Sequence, residues 1–507
     1  MTRPVIFLLL FFTATILQFR ADATGIHLLS SAMAQSDDGD DDGDDDGDDD
    51  GGDDDGGDDG DGRDDNDGGR DRDDDDDDDD DRSGGQGRDR GTSFSERPED
   101  REGDAPRPAQ VQAAPTSPRV TPPPAPSQVR RATPAPAPLP QRAPDEIIAR
   151  GISAIDLAEL ETEGFLVLEQ RDLSQGSNLV RLRKPNQLDL DSARLVVRAR
   201  ATAASADFNH FYRSEQGPPQ DADRCPGGLC LAREIIAWET PTACGTLPRV
   251  GMVDTGVNAD HAAFASADLT VHSLDPARER ERATSSDALH GTAVAALLVG
   301  GPETRSPGLI PDAPLFAVDA FVRDGADQRS DAFSLIAALD WLAAQDLRLI
   351  NMSLAGPPND ELAGQIGLMV EQDILIVAAA GNVGPRADPV YPAAYDGVIA
   401  VTAVDRSKQI YRRAGRGPHI DLAAPGVEVW TAASISGART KTGTSYAAPF
   451  VTAAAALWLQ TEPELSAEDL AQRLIAQAND LGDPGRDPVF GSGLLTAPKP
   501  CSSSVAP

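Results

Sequence analysis

From Arg249 onward, short apolar runs alternate with longer stretches of small residues. Val250-Gly251-Met252-Val253, Leu315–Val318, Leu349–Met352, Ile374–Val377 and Val398–Val401 read as strands. Thr292–Val299, Phe333–Ala344 and Glu361–Glu371 read as the helices between them. A strand that is apolar at almost every position is buried on both faces, as parallel strands joined by helices are. The pattern predicts an α/β domain, a parallel sheet with helices on both faces. Sites in such sheets lie beyond the carboxyl ends of the strands.

Residues 145–214 follow another rhythm. Glu146-Ile147-Ile148-Ala149 reads as a short strand. Ser153 caps a helix through Leu157 and Leu160, and Gly164 ends it. Phe165–Leu168 and Asn178–Leu182 read as strands joined by a Gln175-Gly176 turn. Leu188–Val197 has helical spacing, and Phe208–Tyr212 reads as a closing strand. This β-α-β-β-α-β order predicts a small ferredoxin-like α+β domain. Residues 215–244 form a connector that carries Cys225, Cys230 and Cys244, with a short amphipathic helix over Leu231–Trp238.

The first 144 residues hold no such pattern. Arg3 and the apolar run Val5–Leu17 read as an export signal, too short to span a bilayer, which needs about 20 residues. Cleavage is expected after Ala34, with Ala21-Asp22-Ala23 as an earlier alternative. Residues 35–103 are Asp/Gly-rich and expected to be disordered. Within them, residues 36–90 hold 31 Asp against 6 Arg, −25 of the chain's net −39. Charge is therefore a property of one segment and not of the folded part. Residues 104–144 form a Pro/Ala-rich linker. Extended at ~3.1 Å per residue, they reach on the order of 120 Å. Nothing resembles a basic nucleic-acid footprint. No later segment is long and apolar enough to span a membrane.

Four cysteines in an exported chain fit disulfides: Cys225, Cys230, Cys244 and Cys501, with three possible pairings. Their spacing, with no His among them, does not suit zinc.

Three polar residues interrupt the apolar pattern where a site is expected. Asp254 directly follows Val250–Val253. His290 opens a helix of small residues in His290-Gly291-Thr292. Ser445 precedes an Ala-rich helix in Gly443-Thr444-Ser445-Tyr446-Ala447-Ala448-Pro449. A Ser at a helix start has backbone N–H groups and the positive dipole end beside it, which suits a nucleophile whose target becomes an oxyanion.

These segments, in the order Asp, His, Ser, resemble the subtilisin-like (subtilase) family of serine peptidases over about residues 245–498. Asn351-Met352-Ser353-Leu354, Ala379-Ala380-Gly381-Asn382, Tyr391-Pro392-Ala393, Ala424-Pro425-Gly426 and Phe490-Gly491-Ser492-Gly493-Leu494 are similar to further motifs of that family. The resemblance implies a serine endopeptidase with Asp254, His290 and Ser445 as triad and Asn382 as oxyanion donor. It implies that Ser353, Leu354, Ala355 and Gly356, with Ala379, Ala380 and Gly381, flank the substrate. Residues 145–214 resemble the family's propeptides. That implies a zymogen cut within 213–230, a permanent accessory domain being the alternative. Implied partners are protein or peptide substrates, with no nucleic acid and no membrane after signal removal. The protein is expected to be monomeric and secreted or periplasmic, with no cofactor needed for the chemistry. Structural calcium, common in the family, is left unassigned. Residues 499–507 read as a tail.

Three positions depart from the family pattern. Tyr446 replaces a frequent Met. Ala355 and Val390 stand where Gly is frequent. The two added side chains point to a shallow S1 pocket and small P1 residues. A silent binding module acting through the acidic segment is the alternative function. A narrowly specific processing protease is a third reading.

Overall fold

The computed structural model describes residues 138–200, 205–214, 232–239, 245–274 and 283–499. The export signal, the acidic segment, nearly all of the linker and all four cysteines lie outside the described residues.

The larger element is a seven-stranded, wholly parallel sheet. In sheet order its strands are β15 (Leu422–Pro425), β14 (Val398–Val404), β13 (Leu375–Ala379), β11 (Leu349–Met352), β5 (Val250–Asp254), β8 (Leu315–Asp319) and β6 (Leu269–Ser273). Alternate residues enter two separate cores. Val250, Met252, Leu315, Ala317, Leu349, Val377 and Val401 face one core, beneath α3 (Leu289–Val299) and α6 (Ala448–Thr461), with α7 (Ala467–Ala476) packed outside α6. Val253, Val318, Ile350, Met352, Ile376 and Ala400 face the other, beneath α4 (Ala332–Ala343) and α5 (Asp360–Glu371). Two-sided burial is why these strands read as unbroken apolar runs.

The N-terminal part has the expected β-α-β-β-α-β order: β1 (Arg142–Arg150), α1 (Ala154–Thr162), β2 (Leu166–Asp172), β3 (Asn178–Arg183), α2 (Leu190–Arg198) and β4 (Ala206–Ser214). Its strands lie in the antiparallel order β2-β3-β1-β4, the ferredoxin-like arrangement. Ser153 caps α1 through the Asp156 N–H, at 3.1 Å. The Leu231–Trp238 helix is not formed. Its described part is a single 3-10 turn, Glu234–Ile236, ended by Ala237 in the left-handed region.

Both faces of this smaller sheet are covered. Ile147, Ala149, Val180 and Leu182 pack with Leu160 and Val197 of α1 and α2. Ile148, Leu179 and Tyr212 belong instead to the core of α4 and α5. The sheet also continues beyond β4. β10 (Asp327–Asp331) pairs with β4, β9 (Val322–Asp324) with β10, and β7 (Thr284–Ser285) with β9. Polar groups of β4 serve both helix N-termini, where backbone N–H groups lack intrahelical partners. Asp207 accepts from the Asp360 N–H at 2.8 Å. Asn209 donates to Asp331, the α4 cap, at 3.0 Å and accepts from the Phe333 N–H at 3.3 Å. A two-stranded ribbon of β16 (Val429–Ala432) and β17 (Ala438–Lys441) leads into Ser445.

Candidate active site

Asp254 ends β5, and His290 is the second residue of α3. The close packing of β5 and α3 brings their side chains together. His290 Nδ1 lies 2.7 Å from Asp254 Oδ1, with both side chains buried. Asp254 Oδ1 also accepts from the Thr255 N–H at 2.7 Å. The imidazole is thereby held with Nδ1 toward the carboxylate and Nε2 turned away. Gly291 permits the approach: a Cβ there would lie 2.3 Å from the Thr255 carbonyl oxygen and 2.7 Å from that of Gly256. Glycine is needed at this point for close packing.

The turn after Asp254 has its own support. Gly256 N–H donates to Ser286 Oγ at 2.8 Å, and Ser286 donates to the Asp319 carboxylate at 2.9 Å. Asp319 ends β8 level with Asp254 on β5. Sequence reasoning missed this pair, although Asp319 shows the same signal as Asp254: a carboxylate closing an apolar strand.

Ser445 sits in the 3-10 turn Thr444–Tyr446, ahead of α6. Two hydrogen bonds tie it to Ser353: Ser353 Oγ donates to the Ser445 carbonyl at 2.8 Å, and Ser445 Oγ donates to the Ser353 carbonyl at 3.2 Å. Ser353 is itself fixed by Asn351 Nδ2 at 2.9 Å, and Asn351 by Thr452 of α6 at 3.0 Å. His290 Nε2 makes no hydrogen bond. The Ser445 hydroxyl is directed instead to the Ser353 carbonyl.

Asn382 is buried beside the same turn. Its Oδ1 accepts from the Thr444 N–H at 3.0 Å, and the Gly381 N–H donates to Thr444 Oγ1 at 3.1 Å. The end of the Asn382 amide that bears on Thr444 is thus its oxygen. Gly381 has φ +85°, and a Cβ there would meet Val390 Cγ2 at 2.7 Å. Val390 therefore lies directly on Gly381, with Ala379 and Ala380 buried just before it. Opposite, β12 (Leu354–Ala355) follows Ser353. Gly356 then exchanges two 2.9 Å hydrogen bonds with Tyr391.

The edge of β12 is covered by β4. Ser214 pairs with Leu354 and Arg213 with Ala355, antiparallel. Tyr212, fully buried, donates its hydroxyl to the Pro357 carbonyl at 2.9 Å. The end of the N-terminal part thus lies along the strand that leads away from Ser353. Lys441 of β17 stands four residues before Ser445. Burial and the neighbouring Arg439 lower it to about 8, against the pull of Asp287. No group of three His, Cys, Asp or Glu side chains among the described residues is placed to hold a metal.

Comparison with known proteins falls on the same residues. The subtilase family profile matches residues 245–493. Over 256 residues the chain is 33% identical to subtilisin DY of Bacillus licheniformis, spanning 50% of this chain and 89% of that protein. It is 31% identical over 255 residues to subtilisin BL of Lederbergia lenta, spanning 50% and 90%. It is 30% identical over 261 residues to the minor extracellular protease Epr of Bacillus subtilis (strain 168), spanning 51% and 39%. The matched stretch builds the parallel sheet and carries Asp254, His290 and Ser445, and by that match the chain belongs to the subtilase family of serine peptidases.

Proposed function

We propose that this chain is an exported serine endopeptidase made as a zymogen, with Asp254, His290 and Ser445 as its triad. The observation that carries the reading is the buried 2.7 Å contact of His290 with Asp254, beside the turn that holds Ser445, whose neighbour Tyr446 has its ring 5.4 Å from the imidazole. His290 Nε2 takes the Ser445 proton as Oγ attacks the substrate carbonyl. Asp254 holds the tautomer and stabilises the imidazolium. The oxyanion is met by the Ser445 N–H and by Asn382, whose Oδ1 contact with Thr444 orients the amide. His290 then gives its proton to the leaving amine, and water resolves the acyl-enzyme. A fluorophosphonate probe is expected to attach to Ser445 of the processed protein. An intact, processed protein that stays unlabelled would favour a silent binding module.

Pairing of β4 with the edge of β12 supports the zymogen reading. A segment in that position denies the edge to a substrate backbone. The signal-like start and the relative described as an extracellular protease support export.

Val390 over Gly381 supports a shallow S1 pocket. Peptides with Ala or Val at P1 are expected to be cleaved about tenfold faster than Phe peptides, within the range of roughly 1–3 kcal/mol that added methylenes cost. Val390→Gly is expected to reverse that order. Matched kcat/KM values check it, and faster Phe cleavage by the wild type would refute the shallow pocket.

A further inference from the structure

The end of β4 lies between β12 and β10. Ser214 pairs with Leu354 and Arg213 with Ala355 on one side, and Tyr212 pairs with Ser330 on the other. Ser353 immediately precedes β12, and Ser445 Oγ donates to its carbonyl at 3.2 Å. A substrate strand laid in place of β4 therefore has its P1 residue opposite Ser353 and its P3 residue where Arg213 now lies. Tyr212 turns inward, with its ring against Gly356, so Arg213 points to the opposite face of the strand.

On that face Arg213 grips Asp327 with two donors. Nε donates to Oδ1 at 2.7 Å and Nη2 to Oδ2 at 2.9 Å. Nη2 also donates to the Pro140 carbonyl at 2.7 Å. The Asp327 side chain is only 9% exposed. It stands directly opposite Asp324 in the β9–β10 pair, and Arg329 bridges the two carboxylates, at 2.7 Å from each. Like charges so placed repel unless cations offset them. Two carboxylates thus face two guanidiniums. Arg323, also on β9, pairs with Asp287 at 3.3 Å. When β4 leaves, Arg213 and Pro140 leave with it. Asp327 Oδ1 loses its Arg213 bond, and one carboxylate is in excess.

We infer that Asp327 is a specificity residue of the processed enzyme, binding the arginine side chain of a substrate at P3. The inference rests on the reading above, in which β4 occupies the path of the substrate. Arg329 already holds the carboxylate in place, so a second guanidinium meets a preorganised partner. Two carboxylate oxygens match the guanidinium fork, which a lysine ammonium cannot reproduce.

Peptides Ala-Xaa-Ala-Ala, with Xaa at P3 and one fluorogenic leaving group, test this on the processed protein. The Arg peptide is expected to be cleaved about tenfold faster than the Ala peptide in kcat/KM, with Lys between them and Glu slowest. Asp327→Asn is expected to bring the Arg-to-Ala ratio close to one. Equal cleavage of the Arg and Ala peptides by the wild type overturns the inference, whether or not the variant folds and matures. So does an Arg preference that survives Asp327→Asn. If no peptide is cut and the fluorophosphonate leaves Ser445 unlabelled, the triad reading has failed and the subsite with it. Cleavage without a P3 preference sinks the subsite alone.

Discussion

Ser445→Ala is expected to lower turnover by roughly 10⁶ and to leave residues 145–214 attached to the chain. The magnitude was measured in a subtilisin, a member of the same family, and is carried over from there. The substitution removes one oxygen from a side chain whose surroundings are otherwise fixed. The Ser353–Ser445 carbonyl contact and the Asn382–Thr444 contact do not depend on Ser445 Oγ. The turn should therefore fold unchanged, so a loss of activity reports on chemistry. His290→Ala is expected to cost about as much, and Asp254→Asn less, roughly 10⁴, because the amide no longer fixes the tautomer. N-terminal sequencing gives a second readout. The wild type should acquire a new terminus within 213–230, and the Ala variant should not. Identical processing in both would mean that the cut is not made by this active site.

Much of that site was legible because its chemistry interrupts a strong pattern. Asp254 closes an apolar strand, and Ser445 precedes an Ala-rich helix. A parallel sheet leaves little choice about where such residues meet. The α+β part was legible for a similar reason, since Ser153 and Gly176 mark its cap and turn. Its relation to the rest was not. Ile147, Ile148 and Ala149 are three consecutive buried residues in one strand. That run says both faces are covered, but not that α4 and α5 of a distant segment cover the second. The short strands β7, β9 and β10 were missed because their residues are largely polar or too few to show a period. Asp327-Gln328-Arg329-Ser330-Asp331 is a strand only because β4 and β9 lie on either side of it. The Leu231–Trp238 helix failed for the converse reason. Ala237 takes a left-handed conformation, and the turn ends after three residues.

The seam between the two parts is expected to loosen as pH rises from about 4.5 to 7, and Glu361 is the cause. It lies in the first turn of α5, where a helix dipole favours negative charge, yet its side chain is only 1% exposed. Burial pushes its carboxyl from the ordinary 4.5 up to about 7, against a Ser205 hydrogen bond and the charge of Arg150, with Asp207 and Asp360 adding to the rise. Arg150 Nε stands 3.8 Å from one carboxylate oxygen. The other oxygen, Oε1, has no hydrogen-bond partner. Arg150 is committed elsewhere, donating to Gln365 at 2.8 Å and facing Asp340. Arg194 pairs with Asp207, and Arg198 with Asp360, so neither compensates Glu361.

The sign follows from which state holds the proton. With the seam closed, Glu361 keeps its proton up to about pH 7; once exposed to water, it loses it near 4.5. The closed state is thus fully favoured below 4.5. It loses up to tenfold per pH unit until 7 and changes no further above that. The loss comes to between about two and three orders of magnitude. His210 opposes it: burial lowers its pKa, so its contribution is present above 6.5 and is lost as pH falls below that value. Hydrogen exchange of the β4 amides in the uncleaved Ser445→Ala chain, corrected for intrinsic rates, measures the balance. Protection should fall between pH 4.5 and 7. With Glu361→Gln added, the fall should vanish and the His210 slope of opposite sign should remain. Equal slopes in the two chains would clear Glu361 of the role.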